Sequence, residues 1–351
     1  MNPSASGSRV AGKLGLTDRT FAGPRSRRLA AAVKAGLAEV DASLERELRV
    51  TDQIADAASR YLYDAGGKRV RPMLALITAQ LGEGANEDVI LGATALEMTH
   101  LGTLYHDDVM DAADKRRGVP SAHAVWGNNV AILTGDLLFS RASQIMAKQG
   151  DRAIRLQADT FERLVLGQMH ETIGPQDGED RVAFYLKVLS DKTGSLIAAA
   201  AQSGIIFANG PEEFEKPLVS FGEKVGVAFQ LLDDVIDLSD DPAETGKVPG
   251  TDLRAGVPTM PYLVLGQGAD AASIALRARI DDGVERIAAG ADPVILDEEL
   301  AELRDHAATK ATRDLALAWS NDAVAALEPL PDGAVREALT RFAQAVADRS
   351  S

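Results

Sequence analysis

Two short acidic runs lie inside apolar stretches, where carboxylates are costly. His106-Asp107-Asp108-Val109-Met110-Asp111 follows Leu101 and Leu104, and Leu231-Leu232-Asp233-Asp234-Val235-Ile236-Asp237 is the second. In a helix Asp107 and Asp111 share a face with Asp108 beside them, and the second run repeats this pattern. Like charges so placed weaken a helix by roughly 0.2–0.5 kcal/mol per pair, and among apolar side chains they need a counter-charge. A hard divalent cation supplies it. Mg²⁺ binds carboxylate oxygens and fills its remaining positions with water and substrate phosphates, so the pattern points to a diphosphate substrate. A single run of this kind is most often a solvated helix face; two copies favour acidic clusters facing each other across a helical bundle.

The remaining pattern is helical as well. Leu29, Val33, Leu37, Val40, Leu44 and Leu48 recur every three or four residues, an amphipathic helix with which a single all-α domain, residues 29–351, begins. Residues 1–28, rich in Gly, Ser and Arg without periodicity, read as a flexible leader. Helical periodicity predicts helices over 89–113, 128–148, 152–173 and 218–238, with loops at 174–180, 209–217 and 239–258. Aromatic content of 5% within 46% hydrophobic residues favours helix over sheet and supplies a large core.

Composition also limits function. A net charge of −15 makes nucleic acid an unsuitable partner and obliges an anionic substrate to meet local cations. The absence of cysteine excludes disulfides, thiolate metal sites and a thiol nucleophile. No apolar run spans a bilayer and no secretory signal is present, so a soluble cytoplasmic protein is expected.

Four basic segments are placed to meet such a substrate. Gly66-Gly67-Lys68-Arg69-Val70-Arg71-Pro72 precedes an apolar helix, with Pro72 suited to its first position, and cations at the positive end of a helix dipole await an anion. Asp114-Lys115-Arg116-Arg117-Gly118 ends the first acidic helix and leaves two arginine forks in a loop, which suit phosphate oxygens. Lys192-Thr193-Gly194 interrupts a run of small apolar residues, where the lysine either snorkels or meets an anion. Lys247 lies in a Gly- and Pro-rich loop able to act as a lid.

In this order, GGKRVR, HDDVMD, KRRG, KTG, FQLLDDVID and a Gly-Lys loop, the chain resembles a trans-isoprenyl diphosphate synthase of the long-chain type over about residues 60–262. The resemblance implies an isoprenoid-synthase-type helical bundle around a central cavity and a homodimer. It implies Mg²⁺-dependent, consecutive head-to-tail condensation of isopentenyl diphosphate onto geranyl, farnesyl or geranylgeranyl diphosphate, with three ions when substrate is bound. Asp107, Asp111 and Asp233 would then be metal ligands, and Asp108, Asp234 and Asp237 would ligate or hold metal-bound water. Arg116, Lys192 and Lys247 would grip the allylic diphosphate, and Lys68, Arg71, His100 and Arg117 would hold isopentenyl diphosphate. Thr193 and Gln230 would steady the developing cation. Many relatives carry a lysine after the glycine that matches Gly256; this chain has Val257, which puts more weight on Lys247.

Product length follows from the same resemblance. In the family, side chains four and five positions before the first acidic motif can block the elongation cavity; here they are Thr103 and Gly102, with Thr99 and Met98 one turn further back. None resembles a wall, so the expected product is heptaprenyl to decaprenyl, with Phe161 or Leu164 as floor. Such a product suits quinone side chains and calls for transient membrane contact on release. The alternatives are a short-chain synthase, a class I terpene cyclase and a non-catalytic partner subunit. A cyclase usually lacks a second acidic motif and needs no isopentenyl diphosphate site; partner subunits tend to lose the acidic motifs, and both are intact here.

Overall fold

The structure, a computed structural model, describes residues 16–23, 25–239 and 249–348. Its helices are α1 (Leu16–Thr20), α2 (Arg27–Leu48), α3 (Gln53–Asp64), α4 (Val70–Thr78), α5 (Glu87–Met110), α6 (Ala122–Trp126), α7 (Asn128–Lys148) and α8 (Asp151–Ile173). They continue as α9 (Arg181–Leu189), α10 (Ser195–Phe207), α11 (Glu215–Asp237), α12 (Thr251–Arg254), α13 (Met260–Leu265), α14 (Ala271–Ala288), α15 (Asp297–Asp305), α16 (Ala307–Ala326) and α17 (Ala334–Ala347). Among the described residues the only sheet is a two-stranded hairpin, β1 (Lys115–Arg116) and β2 (Val119–Pro120).

Two helices occupy the interior. α5 starts where Asn86 accepts from the Val89 N–H at 2.9 Å, with Glu87 and Asp88 at the positive end of the helix dipole. It is buried on nearly every side from Val89 to Tyr105. α10, with Ala198–Ala201 at its centre, is packed by α4, α5, α8 and α11. Small residues permit this closeness. A Cβ on Gly226 would stand 2.6 Å from the Gly194 Cα, and one on Gly167 would stand 2.5 Å from the Lys192 backbone nitrogen. Thus α8 and α11 both press on the segment just before α10, a π-helical turn at Ser190–Gly194. A second, smaller core lies among Leu253, Leu276, Ile280, Leu296, Leu300 and Leu303.

The bundle agrees with the predicted fold class, and α7 and α8 fall within a residue of their predicted bounds. The predicted 89–113 helix stops at Met110, and Glu212–Phe214 and the start of α11 replace most of the loop expected at 209–217. α4 starts two residues before Pro72, with Arg69 as its N-cap at φ +50°. The leader reading of 1–28 fails for residues 16–23 and 25–28. There α1 lies against α17, Thr20 is buried, Leu16 and Phe21 pack on the main core, and Arg19 pairs with Asp348 at 2.5 Å.

Candidate active site

α5 carries most of the site. His100, Thr103, Asp107 and Asp111 fall at spacings of three and four on one face, whereas Asp108 is turned about a quarter of the way round. Burial, outweighing the nearby Lys192, raises Asp107 to about 6, with Asp111 adding to the rise. Asp111 is exposed at the helix end. On α11, Gln230, Asp233 and Asp237 share a face in the same manner. The Asp237 carbonyl accepts from the Gly250 N–H at 2.7 Å, which ties the segment resuming at residue 249 to the second motif.

The middle aspartate of each motif also bonds to other parts of the protein. Asp108 is fully buried; its Oδ1 accepts a 2.6 Å bond from the Arg116 Nε, which fixes Arg116, while its Oδ2 has no hydrogen-bond partner. The hairpin makes this possible: Arg117 and Gly118, both at positive φ, form its tight turn and swing Arg116 back over α5. Asp234 is 6% exposed, and its Oδ2 accepts from the Tyr185 hydroxyl at 3.0 Å and from the Met260 N–H at 2.9 Å, joining α11 to α9 and α13. Burial pushes it up to about 8.

That shift gives a direct test. A carboxyl whose pKa is raised on folding favours the folded state below its unfolded value, 3.8, and loses that contribution as pH climbs towards about 8. Asp234→Asn, which still accepts from both donors, is expected to gain thermal stability over the wild type as pH rises from 4 to 8 in chelator. A melting-temperature difference that is flat across that range contradicts the anchoring role.

The cations gather from three segments. Arg117 donates to the Leu62 carbonyl at 2.7 Å and to that of Gly66, and burial lowers both it and Arg71. His100 is held well below its ordinary value by burial and then by Arg71, Arg117, Arg116 and Arg69, so it is a neutral imidazole near pH 7. Lys68 is exposed at the edge of this group. Arg69 belongs to the scaffold: its Nε donates to Asp41 at 2.8 Å, and its guanidinium lies 4.9 Å from the Tyr63 ring centre.

Lys192 and Thr193 are presented by the π-helical turn. Lys192 pairs with Glu171 of α8 and its charge reaches Asp107. Glu171, on α8, is a site residue that sequence reasoning missed. Arg163 braces the turn, bonding Asp191 at 3.1 Å and also Glu223. Lys247 lies outside the described residues. Val257 is 42% exposed and offers no charge.

The predicted product-length residues differ most from expectation. Met98 and Thr99 are fully enclosed, and Thr99 Oγ receives the Gln157 amide at 3.0 Å, so neither lines an open cavity. Thr103 bonds the His100 carbonyl. The space beside Gly102 is filled from α7: a Cβ there would lie 2.8 Å from Phe139. Phe139 in turn packs, tilted by 56°, against Phe161 at 4.6 Å between ring centres and meets the His106 ring edge-on at 5.3 Å, while Leu164 is buried. Phe161 thus backs an aromatic wall and is not a bare floor.

Among the described residues no three acidic, histidine or cysteine side chains converge closely enough to hold a metal by themselves, and no helix is long and apolar enough to cross a membrane. The polyprenyl synthetase family model matches residues 52–288. The chain is 44% identical over 313 residues to nonaprenyl diphosphate synthase of Mycobacterium tuberculosis, covering 88% of this chain and 91% of that protein. It superposes with a TM-score of 0.83 on polyprenyl synthase from Caulobacter crescentus, solved with calcium and isoprenyl diphosphate, at 29% identity over 99% of this chain and 100% of the other. Geranylgeranyl pyrophosphate synthase from Corynebacterium glutamicum, also solved with calcium and isoprenyl diphosphate, gives 0.80 at 37% identity over 94% and 99%. Acidic faces on α5 and α11, a cation group around His100 and these likenesses over nearly the whole chain agree: this protein is a prenyltransferase and belongs to the polyprenyl synthetase family.

Proposed function

We propose that the chain is a trans-polyprenyl diphosphate synthase, condensing isopentenyl diphosphate repeatedly, head to tail, onto an allylic diphosphate. One observation carries this reading. Asp107 and His100 are seven residues apart on one face of α5, so an acidic site and a cationic site lie about 10 Å apart along a single buried helix. That arrangement suits two diphosphates side by side, one gripped by metal and one by guanidinium and imidazole.

Asp107, Asp111, Asp233 and Asp237 are the residues that would hold Mg²⁺. Their donors are all carboxylate oxygens, as that ion prefers, and Asp107 is short of counter-charge even beside Lys192. When bound, Mg²⁺ neutralises the charge of the departing pyrophosphate. Lys192 and Arg116 hold the allylic diphosphate from the protein side, the first presented by the π-helical turn and the second clamped by Asp108. Lys68, Arg71, Arg117 and neutral His100 hold isopentenyl diphosphate, the imidazole as an uncharged donor. Breaking the allylic carbon–oxygen bond leaves a carbocation, which the Thr193 hydroxyl and the Gln230 amide oxygen stabilise. The new carbon–carbon bond forms at the isopentenyl double bond, and the released pyrophosphate takes the proton lost afterwards. Holding both anions in place converts an encounter into a positioned reaction, and no protein nucleophile is required.

The relative named nonaprenyl diphosphate synthase supports a long product, of the length that serves quinone side chains. One observation favours the short-chain alternative: Phe139 closes the space that Gly102 leaves open. Exposed Ile132 and Leu133 on α7 and Val165, Leu166, Met169 and Ile173 on α8 support a homodimer. A cytoplasmic enzyme that touches a membrane to unload its product completes the proposal.

Incubation with labelled isopentenyl diphosphate in excess, farnesyl diphosphate and Mg²⁺, followed by mass spectrometry, is expected to give heptaprenyl to decaprenyl diphosphate, and nothing in chelator. Absence of incorporation with metal present overturns the synthase reading; an end-product of geranylgeranyl length or less replaces it with the short-chain one.

A further inference from the structure

One buried acid has no part in the chemistry above. Glu97 lies on α5, three residues before His100, and is 2% exposed. Around it stand cations from two other segments: Arg69 and Arg71 at the start of α4, and Arg117 at the hairpin turn. The Arg69 Nη1 is 3.5 Å from the Glu97 Oε1, and the carboxylate charge acts on both Arg71 and Arg117. Its Oε2 has no hydrogen-bond partner, and neither does the Arg71 Nε.

A buried carboxylate with an unmet oxygen is costly. The guanidiniums explain its presence. Arg71 is disfavoured by burial and by the charge of Arg117, and Arg117 by burial and by the charges of Arg69 and Arg116, so a nearby anion is needed to keep these guanidiniums together inside the protein. Arg117 is further committed to the Leu62 and Gly66 carbonyls, so its head stays where Glu97 acts on it. Arg69 pairs with Asp41 as well as with Glu97, so Glu97 is not its sole counter-charge.

We infer that Glu97 is a positioning residue for isopentenyl diphosphate, holding Arg71 and Arg117 side by side beneath the pocket before substrate arrives. The inference rests on the assignment of Lys68, Arg71, His100 and Arg117 to that substrate. The acid touches no reacting atom. Its effect is to keep two cationic side chains ordered in advance, so that the substrate does not bear the cost of gathering them.

The test is steady-state kinetics on Glu97→Gln, Glu97→Asp and the control Arg71→Gln, varying each diphosphate with the other saturating and recording melting temperatures. Glu97→Gln is expected to raise KM for isopentenyl diphosphate about tenfold, the scale at which partners behind a ligating group act. KM for the allylic diphosphate should move less than about twofold, since its site lies at the other end of the helix face. Glu97→Asp, which keeps the charge, should recover part of the loss. If Arg71→Gln raises the isopentenyl KM and Glu97→Gln does not, the inference is overturned and the substrate assignment stands. If Arg71→Gln leaves that KM unchanged, the assignment itself fails and takes the inference with it. A Glu97→Gln enzyme in which kcat and both KM values shift together with a lowered melting temperature marks a merely structural role and also overturns it. Should Glu97→Gln not fold, the charge-balanced Glu97→Gln/Arg69→Gln pair takes its place, and a wild-type isopentenyl KM in that protein is the overturning result.

Discussion

Asp107→Asn is expected to lower kcat by about 10³-fold or more while leaving the fold intact. The size follows from the role: a metal that stabilises a departing pyrophosphate contributes several kcal/mol, and each 1.36 kcal/mol is about tenfold in rate. The neutrality to folding follows from burial. Desolvation already disfavours the charged form and raises this carboxyl to about 6, so an amide of equal size removes a buried charge and costs little stability. Asp108→Asn separates the two roles within one motif. It leaves Arg116 with a neutral acceptor in place of its buried counter-charge, so KM for the allylic diphosphate should rise more than kcat falls. The same burial sets a pH dependence. Asp107, raised to about 6, is half protonated near that pH, so activity at sub-saturating Mg²⁺ should fall as pH drops through that value and recover when Mg²⁺ is raised. Asp107→Asn with activity within tenfold of wild type, measured by incorporation of labelled isopentenyl diphosphate, removes the metal role from this residue.

What the sequence made legible, and what it did not, divides along physical lines. α7 and α8 were readable because apolar spacing is a local property of a long helix, and the outer aspartates of both motifs because spacings of four place them on one face wherever the helix lies. Contacts between distant segments were not readable. Asp108 became an arginine clamp because a two-residue turn folds Arg116 back eight positions along the chain. Asp234 became an anchor because Tyr185 and Met260 arrive from α9 and α13. Glu97 gave no signal, since a lone acid between leucine and methionine resembles many others until three arginines surround it. α1, at five residues, is too short for periodicity and is held by docking on α17. The wall beside Gly102 was invisible for the same reason: the side chain that fills a glycine's empty volume belongs to another helix.

That wall makes Gly102→Phe the substitution with the largest expected effect on product identity. A Cβ at this position would come within 2.8 Å of the Phe139 ring, and the rest of a phenyl group has no room between the two helices. Phe139 cannot simply withdraw, because Phe161 stands 4.6 Å behind it and His106 meets its edge at 5.3 Å. One of the two rings must therefore enter the path of the growing chain, one turn below Asp107. Overpacking of this kind costs roughly 1–3 kcal/mol, a loss the large surrounding core can sustain. The end-product should shorten to geranylgeranyl diphosphate or less, with incorporation of the first isopentenyl unit retained, since Asp107 and the cation group are untouched. Phe139→Ala should act in the opposite direction, opening the wall and shifting the distribution to longer chains. The double variant Gly102→Phe/Phe139→Ala supplies the decisive comparison: the new phenyl takes the volume the old one vacated, so product length should return towards wild type. Because the single variants act in opposite directions, only a return that departs from the sum of their separate shifts shows that the two substitutions share one volume. Product mass spectra under excess isopentenyl diphosphate read all three; an unchanged end-product in Gly102→Phe means that the growing chain does not pass this face of α5.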